Sequence, residues 1–426
     1  MDDDQEQQEQ PEPAAEAVTQ SDEPEWKPSP FPRQPIAEAP SPSRARRAGR
    51  VTRRIAVGLV SLIALGASGY AYVTKDQLQS TVPTTDALTP RAGEPAPPPA
   101  DDGADDILLV GSDARTDAQG NALPARVLRE LRTEANNGAV NTDTVILLRV
   151  PKDGGKPSAV SIPRDTWTEI PGRGKAKINS AYGIAKAHYA QTLRGQGERD
   201  QAKIERDSDT EGRRVLVQAV QDLTQVRIDH YAEVNLLGFY LLTEALGGVK
   251  VCLNHATEDK DSGADFRRGE QTVSGGEALS FVRQRKNLPR GDLDRIVRQQ
   301  AFLSSALHQV LSAGTLTSPG TLSNLTDVVH RSLTLDPGLD LLQFAQQAKG
   351  IASGDLAFAT IPVITANGRS EDGQSIVEID PQAVRQFVAG LAGRSAAQPA
   401  GGGSGSGAAP AAAPLHRASP GVTCVN

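Results

Sequence analysis

The sequence is poor in the residues that usually announce a catalytic site. It holds two cysteines and six histidines in 426 residues, and aromatics make up only 4%. The histidines are scattered, so there is no His-Glu-x-x-His pair, and no paired-cysteine motif offers a zinc site. His230, beside Tyr231 on an expected strand, reads as a packed core residue rather than a base. The two cysteines give no nucleophile signature. No Gly-x-x-x-x-Gly-Lys-Ser/Thr loop is present, and Gly154-Gly155-Lys156 reads as a turn between strands. Basic excess is missing too: the net charge of −7 argues against a general nucleic-acid binder. No internal repeat is visible. Large apolar residues are scarce at both ends. Residues 1–50 are dominated by Asp, Glu, Gln, Pro and Ala, and residues 395–420 by Gly, Ser, Ala and Pro, so neither can bury a core. The ordered part is expected from Asp105 to Gly393, which is ample for one sizeable core.

What is present begins with a hydrophobic run. Arg44, Arg46, Arg47, Arg50, Arg53 and Arg54 precede Ile55–Val73, nineteen residues without a charge. At ~1.5 Å per residue such a helix spans roughly 28 Å, close to the hydrocarbon thickness of a bilayer. Tyr70 and Tyr72 sit at its far end, where interfacial aromatics belong. The arginines hold the N-terminus in the cytoplasm and place the rest of the chain outside. A cleaved signal peptide is the rival reading, since Ala67–Ala71 is rich in small residues. The long arginine-bearing lead favours an uncleaved anchor. The expected order is a disordered cytoplasmic head at 1–54, a transmembrane helix at 55–73, a Pro-rich tether at 74–104, a catalytic domain at 105–393 and a tail at 394–426.

Within the domain, Asp106–Val110, Thr144–Val150 and Ser158–Ile162 are apolar runs that read as buried strands. Asp229–Val234, Val249–Leu253 and Leu356–Ile361 read as further strands. Helices are expected over Lys177–Tyr189, Val215–Thr224, Gly276–Arg283, Leu339–Gln347 and Pro381–Leu391, and over Leu236–Leu246, closed by Gly247-Gly248. The highly charged Thr192–Arg214 reads as a solvated helix or an insertion. The class is α/β, a central sheet between helix layers.

The most unusual stretch is Arg283–Gln300. It carries six cations within sixteen residues of an acidic chain. Asp292 or Asp294 caps the helix that follows, and Asp292, Arg295 and Gln299 share one face at i, i+3 and i+7. Ile296, Val297 and Leu303 pack inward. Arg283 and Arg285 point the same way if their segment is extended. Guanidinium forks converging beside a helix N-terminus suit a pyrophosphate better than a single carboxylate. The bland alternative is a solvated basic loop.

Several segments together resemble the LytR-CpsA-Psr family of membrane-anchored cell-wall enzymes. They run in order from about Asp105 to Leu307: Asp106-Ile-Leu-Leu-Val-Gly-Ser-Asp113, Asn141-Thr-Asp-Thr-Val145, Ser161-Ile-Pro-Arg-Asp165, Lys177-Ile-Asn-Ser-Ala-Tyr-Gly183, Ile228-Asp-His-Tyr-Ala-Glu233, Gly247-Gly-Val249 and Phe281–Gln300. Residues 308–426 match nothing as specifically. The resemblance implies transfer of a glycopolymer from a polyprenyl pyrophosphate carrier onto peptidoglycan. It implies head-group contacts from Arg164, Arg283, Arg285, Arg295 and Gln299, Mg²⁺ held by Asp113 and Asp143, and Asp292 as the acidic partner. Asp292 and Asp294 are the nearest candidates for a base, and Trp167 packs near the site. The family often has an arginine where this chain has Asn141, so the head group is expected to be held with one cation fewer.

The chemistry agrees with the topology. Outside the membrane nucleoside triphosphates are scarce, so a transfer there needs a donor with its own activated bond. Two alternatives use the same cradle: a polyprenyl-pyrophosphate phosphatase with water as acceptor, and a non-catalytic lipid-binding regulator or transcriptional attenuator. Finally, Cys252 and Cys424 both fall on the exported side, where an even count suits a single bridge. Cys424 lies in Val422-Thr-Cys-Val-Asn426, an apolar patch at the end of a flexible leash, and a Cys252–Cys424 disulfide is expected.

Overall fold

Alternation along one central strand sets the architecture. The computed structural model describes residues 82–91, 93–99, 103–133, 140–311, 333–340, 356–391, 416–417 and 422–426, with isolated positions at 328, 343, 344 and 347. In chain order the first elements are β1 (Ala104–Ser112), α1 (Ala125–Glu130), β2 (Thr142–Pro151), β3 (Ser158–Ser161), β4 (Trp167–Ile170) and β5 (Gly174–Lys177). Then come α2 (Ile178–Gly195), α3 (Gln201–Thr224), β6 (His230–Val234), α4 (Leu236–Ala245) and β7 (Val249–Leu253). A run of short strands follows: β8 (Thr257–Asp259), β9 (Ala264–Phe266) and β10 (Gly269–Val273). They lead into α5 (Gly275–Arg283) and α6 (Asp292–Leu311). The rest is β11 (Leu333–Leu335), β12 (Ala357–Thr360), β13 (Thr365–Arg369), β14 (Ser375–Glu378), α7 (Pro381–Leu391), β15 (His416–Arg417) and β16 (Cys424–Val425).

Among the described residues the main sheet has seven strands in the order β11-β6-β1-β2-β3-β12-β15. It is mixed: β1 runs parallel to β6 and antiparallel to β2, while β3 is antiparallel to β2 and parallel to β12. Leu108 and Val110 of β1 share a cluster with Tyr182 of α2, Leu216 and Val220 of α3, and Val384 of α7. Ile107 faces the other way, into a cluster with Leu148 of β2, Phe358 of β12 and, packed against it, Leu303 and Leu307 of α6. Both faces are covered, so the period-two pattern of one strand feeds two cores. The protein is an α/β domain with its sheet between helix layers. A second sheet, β10-β7-β16, closes over the far side of α6 through Val251, Phe281, Phe302 and Val425.

The Ile55–Val73 span lies outside the described residues, as do the acidic head and most of the tail. No helix among the described residues is long and apolar enough to cross a membrane. Of the expected helix over Leu339–Gln347, residues 341, 342, 345 and 346 lie outside them; Gln343, Phe344 and Gln347 are helical, Phe344 N donates to Asp340 O at 2.9 Å, and Leu339 is buried.

Three expectations need correction. The stretch expected as a tether up to residue 104 does not stand clear of the domain. Val82, Thr85 and Ala87 are buried, Leu335 N donates to Pro83 O at 3.0 Å, and Thr85 N donates to Leu335 O at 2.9 Å. Strand β11 needs partners for its outer edge, and this segment supplies them. Arg91 pairs with Glu211 at 2.7 Å, and Glu94 pairs with Arg214. The second correction concerns Thr192–Arg214, which is largely helical, and is solvated over its first half but not over its second. Helix α2 continues to Gly195, and α3 starts at Gln201, capped by Asp200. Its charges turn inward: Lys186 contacts Glu205 and Asp209 at 2.7 Å each, and Arg213 Nε lies 2.7 Å from Glu233. Gly212 permits this approach, since a Cβ there would lie 2.8 Å from the Tyr182 carbonyl oxygen. Thirdly, His230 is not a core residue. It is half-buried and its Nδ1 lies 3.2 Å from Asp336.

Candidate active site

The chain brings its acids and arginines together at one end of the main sheet. Asp113 follows the end of β1, Asp143 lies at the start of the antiparallel β2, and Arg164 follows β3. The register of β1 against β2 shifts at this end: Gly111 pairs with Thr144 and Ser112 with Thr142. Asp143 is the residue left over. A bulge of this kind re-aims a side chain, and here it turns Asp143 toward Arg164, whose Nη1 lies 2.7 Å away.

Helix α6 delivers the rest. Its first residue, Asp292, has Oδ1 at 3.0 Å from Arg295 Nη2, 3.3 Å from Arg285 Nε and 3.6 Å from Arg164 Nε. The helix is locked in place about two turns on, where buried Gln300 donates to Ser161 Oγ at 2.8 Å and to Ala359 O at 3.2 Å. Gln299 Nε2 donates to Val282 O at 3.2 Å, tying α6 to α5.

Cations are in excess here. Burial lowers the Arg295 guanidinium below its ordinary pKa, and neighbouring Arg164 and Arg285 add to this. Burial lowers Arg283 as well, helped by Arg115 and opposed by Asp143 and Asp113. Burial alone drives Asp143 up, but Arg164, Arg295 and Arg283 outweigh it and hold the carboxyl below its usual range. Among the described residues, the buried Nε atoms of Arg164 and Arg295 have no hydrogen-bond partner. A buried donor without a partner is costly, and an oxyanion placed between them would remove that cost.

Asp113 differs from Asp143. Its Oδ1 accepts from Asn141 N at 2.6 Å, and its own N–H donates to Asn141 O at 3.0 Å. Burial raises its pKa, and the nearby Asp143 raises it further. Two carboxylates that repel one another are relieved by a cation. Among the described residues no group of three or more His, Cys, Asp or Glu side chains is gathered for a metal. A pair of carboxylates fits Mg²⁺, which commonly takes one or two together with water and substrate oxygens.

The residues singled out from the sequence therefore lie together, with two changes of role. Arg283 and Arg285 do not flank an extended strand. Arg283 ends α5 and donates to Leu131 O at 3.2 Å; Gln284 is fully buried; Arg285 emerges 51% exposed. Asp294 is no base: its carboxylate accepts from Arg290 N and Nε at 2.8 Å each and is buried. Sequence reasoning missed Arg115, whose charge acts on both Asp113 and Arg283. Its place two residues after Asp113 was the available signal. Also missed was Lys177, which meets Asp165 at 3.1 Å beside Arg164.

Behind the arginines, Arg298 Nη1 donates to Gln284 Oε1 at 2.7 Å, and its Nε donates to the carbonyl of Asn426. Burial lowers the Arg298 pKa to about 10. Asn426 follows β16, which runs parallel to β7, and Cys424 is joined there to Cys252 by a disulfide.

A mixed sheet between helix layers, with guanidiniums gathered at its strand ends, defines the class as an α/β domain. This chain belongs to the LytR_cpsA_psr family, whose family model matches residues 68–392. The cell wall biosynthesis protein LcpA of Corynebacterium glutamicum is 46% identical over 355 residues, which is 83% of this chain and 68% of that protein. The polyisoprenyl-teichoic acid–peptidoglycan teichoic acid transferase TagU of Oceanobacillus iheyensis is 34% identical over 202 residues, 47% of this chain and 55% of that one. The crystal structure of B. subtilis TagV aligns with a TM-score of 0.49 at 20% identity, covering 70% of this chain and all of the other.

Proposed function

We propose that this protein is a phosphotransferase that moves a glycopolymer from a polyprenyl pyrophosphate carrier onto peptidoglycan. Membership of the family and the likeness to the cell wall biosynthesis protein LcpA and the teichoic acid transferase TagU support cell-wall glycopolymer transfer. The observation that carries the phosphoryl chemistry is the cluster itself: Arg164, Arg285 and Arg295 around Asp292, with the buried Nε of Arg164 and that of Arg295 making no hydrogen bond among the described residues.

In this reading Arg164, Arg283, Arg285 and Arg295 bind the pyrophosphate oxygens, and Asp292 holds three of them in register. Gln299 fixes α6 against α5, so that Arg295 stays aimed at the same point. Asp113 and Asp143 would hold Mg²⁺, which supplies neutralisation of charge on the phosphate oxygens when bound. An acceptor hydroxyl forms a new P–O bond to the phosphorus that bears the glycan, and the P–O–P bridge breaks. Polyprenyl phosphate departs and takes up the acceptor's proton. A loose transition state needs positioning and charge more than a strong base, which suits a site in which Asp143, Asp165 and Asp292 are engaged by arginine or lysine.

The same reading anchors the chain through Ile55–Val73, with the N-terminus in the cytoplasm and the domain on the outer face. Peptidoglycan, the lipid-linked glycopolymer and the membrane are then its partners. The test is reconstitution of the full-length protein in vesicles with a radiolabelled lipid-linked glycopolymer, Mg²⁺ and purified peptidoglycan. Label should pass to the peptidoglycan. Release of free glycopolymer phosphate with no transfer would assign the site to a phosphatase instead.

A further inference from the structure

Next to the cradle lies a groove of about 330 Å³, within the ~300–1,000 Å³ range of ligand clefts. One wall is the β4–β5 hairpin. Trp167 pairs with Lys177 and Glu169 with Lys175, so these four side chains stand on one face of the hairpin. The other wall is built after residue 356: Ile364, Glu378 and Arg385 line it. Ile364 is 58% exposed, the one exposed large hydrophobic residue among those described. The two walls are tied together. Val377 N donates to Asp165 O at 2.8 Å, and Arg385 Nη2 donates to Asp222 O at 3.0 Å.

We infer that this groove seats a neutral sugar ring of the acceptor glycan. The inference rests on the transfer reading and adds the place where the acceptor is held. A pyranose has an apolar C–H face and a rim of hydroxyl donors. Trp167 and Ile364 offer apolar surface to the first, and Glu169 and Glu378 offer acceptors to the second. The lining carries three acids, Glu169, Glu378 and Asp222, against two bases, Lys175 and Arg385. That balance does not attract a polyanion.

Position favours the acceptor over the donor. The donor's first sugar sits on the pyrophosphate, inside the cradle. The groove is separated from the cradle by the Asp165–Lys177 pair and is joined to it by a continuous stretch of backbone. Asp165 lies 3.5 Å from Arg164 Nε and 3.1 Å from Lys177 Nζ, and Lys177 stands opposite Trp167. Trp167 is three residues from Arg164 across a turn in which Thr166 N donates to Pro163 O, so their Cα atoms are at most about 11 Å apart. A glycan held at Trp167 therefore reaches the phosphorus within a short oligosaccharide.

The experiment is calorimetric titration of the full-length protein in nanodiscs with three probes. These are soluble uncross-linked peptidoglycan oligosaccharides, the released glycopolymer and a polyprenyl pyrophosphate. The oligosaccharides should bind. Trp167→Ala should weaken them by about tenfold or more, and Trp167→Phe should retain most of the affinity. Ile364→Glu, at an exposed position that leaves the core untouched, should weaken them as well. The polyprenyl pyrophosphate should bind Trp167→Ala as it binds the wild type. Oligosaccharide affinity unchanged in both Trp167→Ala and Ile364→Glu, or no oligosaccharide binding to the wild type, would overturn the assignment. So would a loss confined to the released glycopolymer, which would make the groove a donor site. If the wild type binds oligosaccharide but no pyrophosphate, the groove stands and the transfer reading fails.

Discussion

Arg164 Nη1 lies 2.7 Å from Oδ1 of Asp143, so the loop after β3 is fastened to the bulge at the start of β2. The contact joins a proposed phosphate ligand to a proposed metal ligand. Arg164 draws the Asp143 carboxyl below its ordinary pKa and Asp143 raises that of Arg164, so each stabilises the charged form of the other.

Loss of Arg164 should therefore reach further than loss of any other arginine in the cluster. Arg164→Ala is expected to lower transfer by about 10²–10³-fold, the usual cost of removing one preorganised electrostatic donor. Arg164→Lys should recover little, since an ammonium cannot span Asp143 and Asp292 with one planar fork. Arg285→Ala should cost less, because Arg285 is half exposed. Initial rates of label transfer test the order; equal rates for all three variants and the wild type would remove these arginines from the chemistry.

Asp113→Asn and Asp143→Asn should each raise the Mg²⁺ concentration needed for half-maximal transfer, and EDTA should silence the wild type reversibly. Full activity in chelator would leave the arginines as the only electrophiles.

The inward ion network predicts a stability effect away from the chemistry. Glu233 accepts from Ser112 Oγ at 2.8 Å, Tyr231 Oη at 2.9 Å and Arg213 Nε at 2.7 Å. Burial pushes this carboxyl up, but Arg213 and these hydrogen bonds outweigh it, so it stays ionised. Arg213→Ala strands a buried charge and should cost roughly 3–5 kcal/mol in denaturant unfolding. Glu233→Gln keeps acceptor capacity and should cost less.

His230 and Asp336 predict a pH dependence. Burial lowers the imidazole pKa, but Asp336 outweighs it and the net shift is upward from 6.5. The pair then stabilises the fold fully below 6.5, and this contribution fades as pH rises through the folded value. Melting temperatures from about pH 5 to 9 should show wild type losing more stability than Asp336→Asn across that window. Parallel curves would show that the pair contributes nothing.

Cys424→Ser should lower stability by about 2–4 kcal/mol, the usual worth of a native bridge. The measurement is urea unfolding of the full chain with the wild type kept oxidised. A midpoint unmoved by the substitution would mean that β16 is held by Val425 and Asn426 alone.

The three central strands could be read from the sequence because each is a nearly uninterrupted apolar run, and Asp113, Asp143 and Arg164 could be placed because they follow or open those runs. The bulge that aims Asp143 was not readable, since a one-residue slip leaves no mark in hydrophobic pattern. The inward charges of α3 were hidden for a different reason. Lys186 with Glu205, or Arg213 with Glu233, look like solvent-facing residues until their partners arrive from distant segments. The same applies to Val82–Ala87, whose burial depends on a strand edge some 250 residues later, at Leu335. Asp294 was misjudged as a base because a helix-capping carboxylate and a catalytic one have the same sequence signature.

Arg298 holds Gln284 with one nitrogen and the Asn426 carbonyl with another, so the residue between Arg283 and Arg285 and the last strand of the chain share a single side chain. Such sharing is reciprocal by thermodynamic necessity. If a ligand at the arginine pair tightens the grip on Cys424–Val425, then loosening that strand weakens the ligand by the same free energy. Slower amide exchange at Val425 on addition of a polyprenyl pyrophosphate would report binding from the opposite side of α6, without any turnover.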